Sequence, residues 1–259
     1  MKPASHAASE NAIDFYYPRV LELLRAVREE ETESIEKSAT LLAETAVKDQ
    51  LIHVYGVGGH SIIGSEEMFW RAGGLACVNP LFESSLSLFS GGQKSTLLER
   101  TVGVGDKIIK AHALKSGEVL IITSIYGMNA ATIDAALEAK SRGVRVVAVT
   151  SIDHASKTPP DFSARHPSRQ NLYELADVVI DNHVPHGDAV VHPKGVSTMM
   201  GPVSTILVSF CLQWLVLRTT EKIVAAGYPA PVWCSANVPG GDEHNQSLFE
   251  RYLPRVKAL

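Results

Sequence analysis

The stretch VLIITSIYGMN, Val119 to Asn129, decides the fold. Its first part, Val119 to Ser124, is a short apolar run that reads as a buried strand. Gly127 and Asn129 bring turn chemistry. A helix is then predicted from about Asn129 to Ser141, stopped by Gly143. The pattern recurs on both sides. LIHVYG, Leu51 to Gly56, is a second strand; VGGHS follows it, and then a predicted helix from about Ser61 to Ala72. VRVVAVTS, Val144 to Ser151, and ADVVIDN, Ala176 to Asn182, are further strands, the latter preceded by a short helical segment around Leu172. Strand, helix, strand at this rhythm implies right-handed crossovers and a parallel sheet covered on both faces, an α/β fold.

Outside this core, residues 9–48 read as helical, with Leu21, Leu24, Val27 and Ile35 at near-helical spacing. The chain thus divides into an N-terminal helical segment, 1–48, packing on the domain or on a partner, and a main domain, 49–259. A long helix is predicted from about Ser197 to Thr220, and an amphipathic one from Asp242 or Glu243 to about Arg255. Ser156–Ser168 and Gly227–Gly241 are rich in proline and read as irregular surface segments.

With 45% hydrophobic residues in 259, the chain can bury a sizeable core. The net charge of -4 and the lack of a basic tract argue against a nucleic-acid partner. A small anion needs only local N–H groups, whatever the net charge. Cys77, Cys211 and Cys234 are an odd, scattered set that suits a reducing compartment. The first residues show no apolar core of a secretion signal, so a cytoplasmic location is expected. Val203–Leu217 is short for a membrane span, and no membrane partner is expected.

Two strand ends carry the functional signal. In Gly56-Val57-Gly58-Gly59-His60-Ser61, glycines let the backbone approach a ligand and the helix start offers free N–H groups. Ser61 suits both a helix cap and an anion contact. A dinucleotide site would need Gly where Ser61 stands, and no acidic residue ends the next strand at the required distance. In Thr123-Ser124-Ile125-Tyr126-Gly127-Met128-Asn129, Ser124 ends a buried strand and Asn129 suits a helix cap. Substrate contacts are expected from Gly58, Gly59, His60, Ser61, Ser124, Tyr126, Gly127 and Asn129.

This pair of loops resembles the sugar isomerase (SIS) domain family, whose second loop commonly reads Ser-x-Ser-Gly-x-Thr. Ser124 and Gly127 fit that pattern; Tyr126 and Asn129 depart from it, which leaves backbone contacts as what carries over. The resemblance spans about residues 10–220, is close to the phosphoheptose isomerase-like branch, and extends over the whole chain to N-acetylglucosamine-6-phosphate dehydratase-type SIS proteins. It implies a three-layer α-β-α sandwich with a five-stranded parallel sheet, extra N-terminal helices, a sugar-phosphate ligand and at least a homodimer.

Sugar-phosphate chemistry of this type needs a base for the proton next to a carbonyl, and an acid for an oxygen. Glu83, flanked by Leu81, Phe82, Leu86 and Leu88, is the expected base. The resemblance implies a Glu here, at the start of a helix. His192, before the long helix, is the expected acid, with His60 the other choice. The resemblance implies that a His near this helix reaches the site, often across the dimer interface. His183, His186, Asp188 and His192 match no common zinc spacing, so no metal is expected, nor a cofactor. The expected activity is dehydration of N-acetylglucosamine 6-phosphate. Aldose–ketose isomerisation starts from the same base and the same bound phosphate. A non-catalytic sugar-phosphate sensor is the third possibility, against which stands the lack of a DNA-binding helix.

Overall fold

The computed structural model describes residues 11–259. Residues 1–10, where the helical segment was predicted to begin, lie outside it. That segment forms two helices, α1 (Ile13–Glu30) and α2 (Thr32–Val47). The chain breaks between them at Glu31, which is buried. Its carboxylate accepts the Asp181 N–H at 3.1 Å and bonds His183 Nε2 at 3.2 Å. That bond raises the His183 pKa. A buried carboxylate tied to two groups outside its own helices positions both helices on the domain.

There follow β1 (Ile52–Gly56), a single 3-10 turn at Gly59–Ser61, α3 (Ile62–Met68), β2 (Val78–Pro80), α4 (Gly92–Glu99), α5 (Val104–His112) and β3 (Val119–Thr123). Then come α6 (Ala130–Ser141), β4 (Arg145–Thr150), α7 (Ile152–Lys157), α8 (Leu172–Leu175) and β5 (Val178–Asp181). The hairpin β6 (Ala189–Val191) and β7 (Met200–Pro202), then α9 (Ser204–Ala225) and α10 (Gly241–Tyr252), complete the chain. The main sheet has five parallel strands in the order β2-β1-β3-β4-β5.

Strand side chains alternate between two buried layers, as a doubly covered sheet requires. Val54, Ile121, Val147 and Ile180 face α2 and α9, where Leu42, Leu207, Cys211 and Leu215 are fully buried. Tyr55, Leu120, Ile122 and Ala148 face α5 and α6. Those two helices cross closely enough that a Cβ on Gly105 would fall 2.1 Å from the Ala131 carbonyl. The result is the α-β-α sandwich that the resemblance implied. No helix among the described residues is long and apolar enough to cross a membrane.

Several predicted boundaries move. The helix expected from Ser197 begins at Ser204 instead. Residues 200–202 pair with β6, and Asp188 caps the helix. Its Oδ1 accepts the N–H groups of Val203 (3.0 Å) and Ser204 (2.8 Å), and its Oδ2 accepts the Ser204 hydroxyl (2.7 Å). The helix expected to reach Ala72 stops at Met68. Trp70 takes a positive φ of 49° and packs on Trp233, ring centroids 4.7 Å apart. Tertiary contact thus overrides the local helical pattern. Glu83 starts no helix: it lies in a turn in which Leu86 N–H reaches the Glu83 carbonyl at 3.1 Å. β2, α4, α5, α7 and the β6–β7 hairpin were not anticipated.

Candidate functional site

In a sheet of this order, the connections from β1 and from β3 leave in opposite directions, and the crevice between their carboxyl ends is where α/β folds bind ligands. Gly56 at the end of β1 lies opposite Thr123 at the end of β3. The two loops singled out in the sequence therefore emerge side by side. They are also joined: Thr123 Oγ1 donates to the Ser61 carbonyl at 2.9 Å, and Val57 N–H to the Thr123 carbonyl at 3.4 Å.

The first loop turns tightly. A Cβ on Gly56 would meet the Ser61 carbonyl oxygen at 2.3 Å, so only glycine fits. Ser65 Oγ accepts the Gly56 N–H at 2.7 Å, and Ser95 Oγ accepts that of Gly59 at 3.2 Å. Ser61 makes no capping bond, contrary to its expected role in the helix start. Ser61 is half-buried, and His60 is exposed.

The second loop is clamped from behind. The carbonyls of Ile125, Gly127 and Met128 accept N–H groups of Ser151 (3.1 Å), Leu172 (2.7 Å) and His166 (2.8 Å). With its acceptors taken up, the loop and the start of α6 retain N–H groups for a ligand. Ser124 is buried; its hydroxyl bonds Thr132 Oγ1 at 3.1 Å and accepts the Gly127 N–H at 3.2 Å. It shapes the loop from within. Asn129 is likewise buried: its Nδ2 donates to the Ala164 carbonyl at 3.2 Å and its Oδ1 has no partner.

Tyr126, Met128 and Asn129 line a cavity of about 460 Å³, within the size range of small-molecule sites. Its far wall is the proline-rich segment, through Pro159, Phe162 and Ala164. Arg165 staples that segment down, donating to the carbonyls of Pro159 (2.9 Å) and Thr158 (2.8 Å) and to Asn171 Oδ1 (2.7 Å). The segment expected as a surface loop is thus also a wall of the cavity.

Two titratable residues that the sequence did not single out also line it. Tyr126, His154 and His186 form a stack, with centroids 4.1 Å and 4.7 Å apart. Burial, and then His186, lower the His154 pKa to about 4, so its ring is neutral at pH 7. Its Nδ1 accepts the Gly187 N–H at 3.2 Å, which leaves the ring proton on Nε2. Glu99, at the last turn of α4, makes no hydrogen bond or ion pair among the described residues. Burial pushes its carboxyl up to about 7, against a smaller opposing effect of Arg100. Its Oε2 lies 3.8 Å from where a Cβ on Gly58 would stand, so it adjoins the first loop as well.

Glu83 lines a neighbouring cavity of about 440 Å³ with Glu66, Ser87 and Phe89. Its Oε1 accepts the Ser85 N–H at 3.0 Å. Burial raises the pKa of the unpartnered Tyr55 hydroxyl, and the charges of Glu83, Glu99 and Asp134 raise it further. The two glutamates line two separate cavities. His192, just past β6, lines neither of them. The other members of its sequence cluster part company: Asp188 caps α9, His183 bonds Glu31 and His186 stacks on His154. No group of three His, Cys, Asp or Glu able to hold a metal ion occurs among the described residues.

With this geometry in hand, residues 15–151 match the family model described as the SIS domain. The chain belongs to the SIS domain family. It is 38% identical over 250 residues to a UPF0309 protein of Caldanaerobacter subterraneus, covering 95% of this chain and 100% of that relative. A UPF0309 protein of Oceanobacillus iheyensis is 36% identical over 242 residues, covering 93% and 96%. Among solved structures, the phosphoheptose isomerase of Neisseria gonorrhoeae superposes with a TM-score of 0.51 at 16% identity, covering 82% of this chain and 97% of that one. That of Francisella tularensis gives 0.50 at 13% identity, covering 81% and 96%. At those identities the likeness is one of fold. It shows this SIS domain built on the same parallel sheet.

Proposed function

We propose that this SIS domain is an enzyme acting on a phosphorylated amino sugar, and that it dehydrates N-acetylglucosamine 6-phosphate. One observation carries the reading: two glycine-bearing loops emerge side by side at the β1/β3 crevice, where the second lines a cavity whose Glu99 lies next to Gly58 of the first. Loop N–H groups and the Ser61 hydroxyl hold the phosphate. Glu83 takes the C2 proton of the ring-opened aldehyde, and the C3 hydroxyl departs with a proton from an acid, a role the sequence gives to His192. The resemblance over the whole chain supports dehydration over isomerisation. Ile13, Tyr17 and Leu21, exposed along one face of α1, support a homodimer.

The test is incubation with N-acetylglucosamine 6-phosphate in heavy water, followed by mass and ultraviolet absorbance. Loss of one water with a new absorbing enal supports dehydration. A deuterated ketose makes the protein an isomerase, and binding without turnover makes it a sensor. Glu83→Gln should still bind the phosphosugar yet lose turnover by about 1,000-fold; unchanged turnover removes Glu83 from the reaction.

A further inference from the structure

Most of the buried or half-buried carboxylates among the described residues are spoken for. Glu31 holds Asp181 and His183, Glu118 holds His53 at 2.9 Å and the Lys115 N–H at 2.7 Å, Asp134 holds the Gly103 N–H at 2.6 Å, and Asp188 caps α9. Glu99 has no such partner among the described residues, lines the cavity beside the second loop and lies next to Gly58 of the first. It also stands at the carboxyl end of α4, where the helix dipole disfavours a negative charge. A carboxyl group left without a partner in such a place is costly as an anion and comfortable as an acid.

We infer that Glu99 is the proton donor to the departing hydroxyl. This rests on the phosphosugar reading above and assigns to Glu99 the role the sequence gave to His192, which lines neither cavity. The atoms balance. The Glu83 carboxylate takes the C2 proton, and the C–H electron pair becomes that of the enolate. The pair returns to form the C2=C3 bond as the C3–O bond breaks. The Glu99 carboxyl proton goes to the leaving oxygen, giving water. Glu83 ends protonated and Glu99 ionised, and exchange with solvent restores both.

The surroundings suit the role. Arg100, beside Glu99 in sequence, is exposed and pulls its pKa only weakly. Across the cavity stand Tyr126, whose pKa burial raises, and His154, neutral and so without a positive charge that would favour the ionised form of Glu99. Next to His154 in the stack is His186. From β1, Tyr55 presents a buried neutral hydroxyl.

The experiment compares wild type, Glu99→Gln and Glu99→Asp on N-acetylglucosamine 6-phosphate, reading water loss and deuterium entry at C2 separately. Glu99→Gln should lower kcat for water loss about 100-fold or more, with KM within about threefold. C2 exchange should persist, because Glu83 still forms the enolate. Glu99→Asp should restore part of the rate. In the wild type, water loss should fall as pH rises through about 7, and that limb should vanish from the residual rate of Glu99→Gln. Dehydration by Glu99→Gln within about threefold of wild type overturns the assignment, as does loss of C2 exchange together with water loss. Wild type that neither exchanges nor eliminates, or yields only a ketose, overturns the dehydration reading and this inference with it; that outcome is distinct because the wild type itself fails.

Discussion

A Cβ placed on Gly59, in the loop after β1, would have nothing within 4 Å, and the neighbouring His60 is exposed. A Cβ on Gly127, in the loop after β3, would strike Thr150 Oγ1 at 2.5 Å, and its neighbours Met128 and Asn129 are buried. Both glycines have left-handed backbones, with φ of 51° and 56°. The two loops flank one crevice, yet one is open and the other clamped through its carbonyls by three further segments. The second loop is packed around its glycine, whereas the first, though tied by Ser65, Ser95 and Thr123, leaves space at Gly59. The carboxylates repeat the contrast. Glu83, visible in the sequence, is steadied by a neighbouring N–H, while Glu99 depends for its character on elements distant in the chain.

The sharpest way to break this comparison is Gly127→Ala. It forces a left-handed alanine and a steric clash, and should destabilise the fold by about 2–4 kcal/mol in urea unfolding. A loss below about 1 kcal/mol would mean that the second loop is no more constrained than the first.

Next in size is the effect of pH on Glu99→Gln. The folded-state pKa of Glu99 is raised to about 7, so its stabilising contribution is fully present below about 4.5 and is lost as pH rises to about 7. Glutamine escapes that loss. The variant should therefore gain stability relative to wild type between pH 4.5 and pH 8, on the order of 1–3 kcal/mol, read by thermal unfolding at both pH values. His154 has the opposite sign: its lowered pKa gives stability that is present above about 6.5 and lost as pH falls towards 4. Removing Glu99 should leave the His154 slope in place; a pH-independent difference between variant and wild type would dismiss the buried-acid description.

Asp188→Ala removes the cap of α9 and should cost about 1–2 kcal/mol in the same measurement. Smallest is Gly59→Ala, at about 1 kcal/mol from backbone strain alone. Equal losses at Gly59 and Gly127 would erase the distinction between the loops.

The sequence announced the strands with long apolar runs, such as Ile52–Gly56 and Val119–Thr123, because a doubly covered parallel strand must be apolar throughout. It announced both loops because glycine and serine there serve backbone geometry. It was silent on β2, only three residues long, on α4, which begins at a glycine and lacks a clean apolar stripe, and on α5, whose buried face of Ile108 and Ile109 is confined to a short helix. Glu99 was illegible for the same physical reason that makes it interesting. Its setting is assembled from Gly58, Tyr126 and the 159–164 wall, none of them near it in the chain. The tautomer of His154 hangs on Gly187, thirty-three positions away.

Glu31 bears on how portable the N-terminal pair of helices is. Its carboxylate is the rivet between α1, α2 and the strand ending at Asp181, while α2 shares the apolar layer of α9. A chimera that exchanged these helices with those of a distant relative would have to bring along the Asp181–His183 corner, or leave a buried anion with nothing to hold. Modularity in this fold should therefore run along the rivets rather than along the chain.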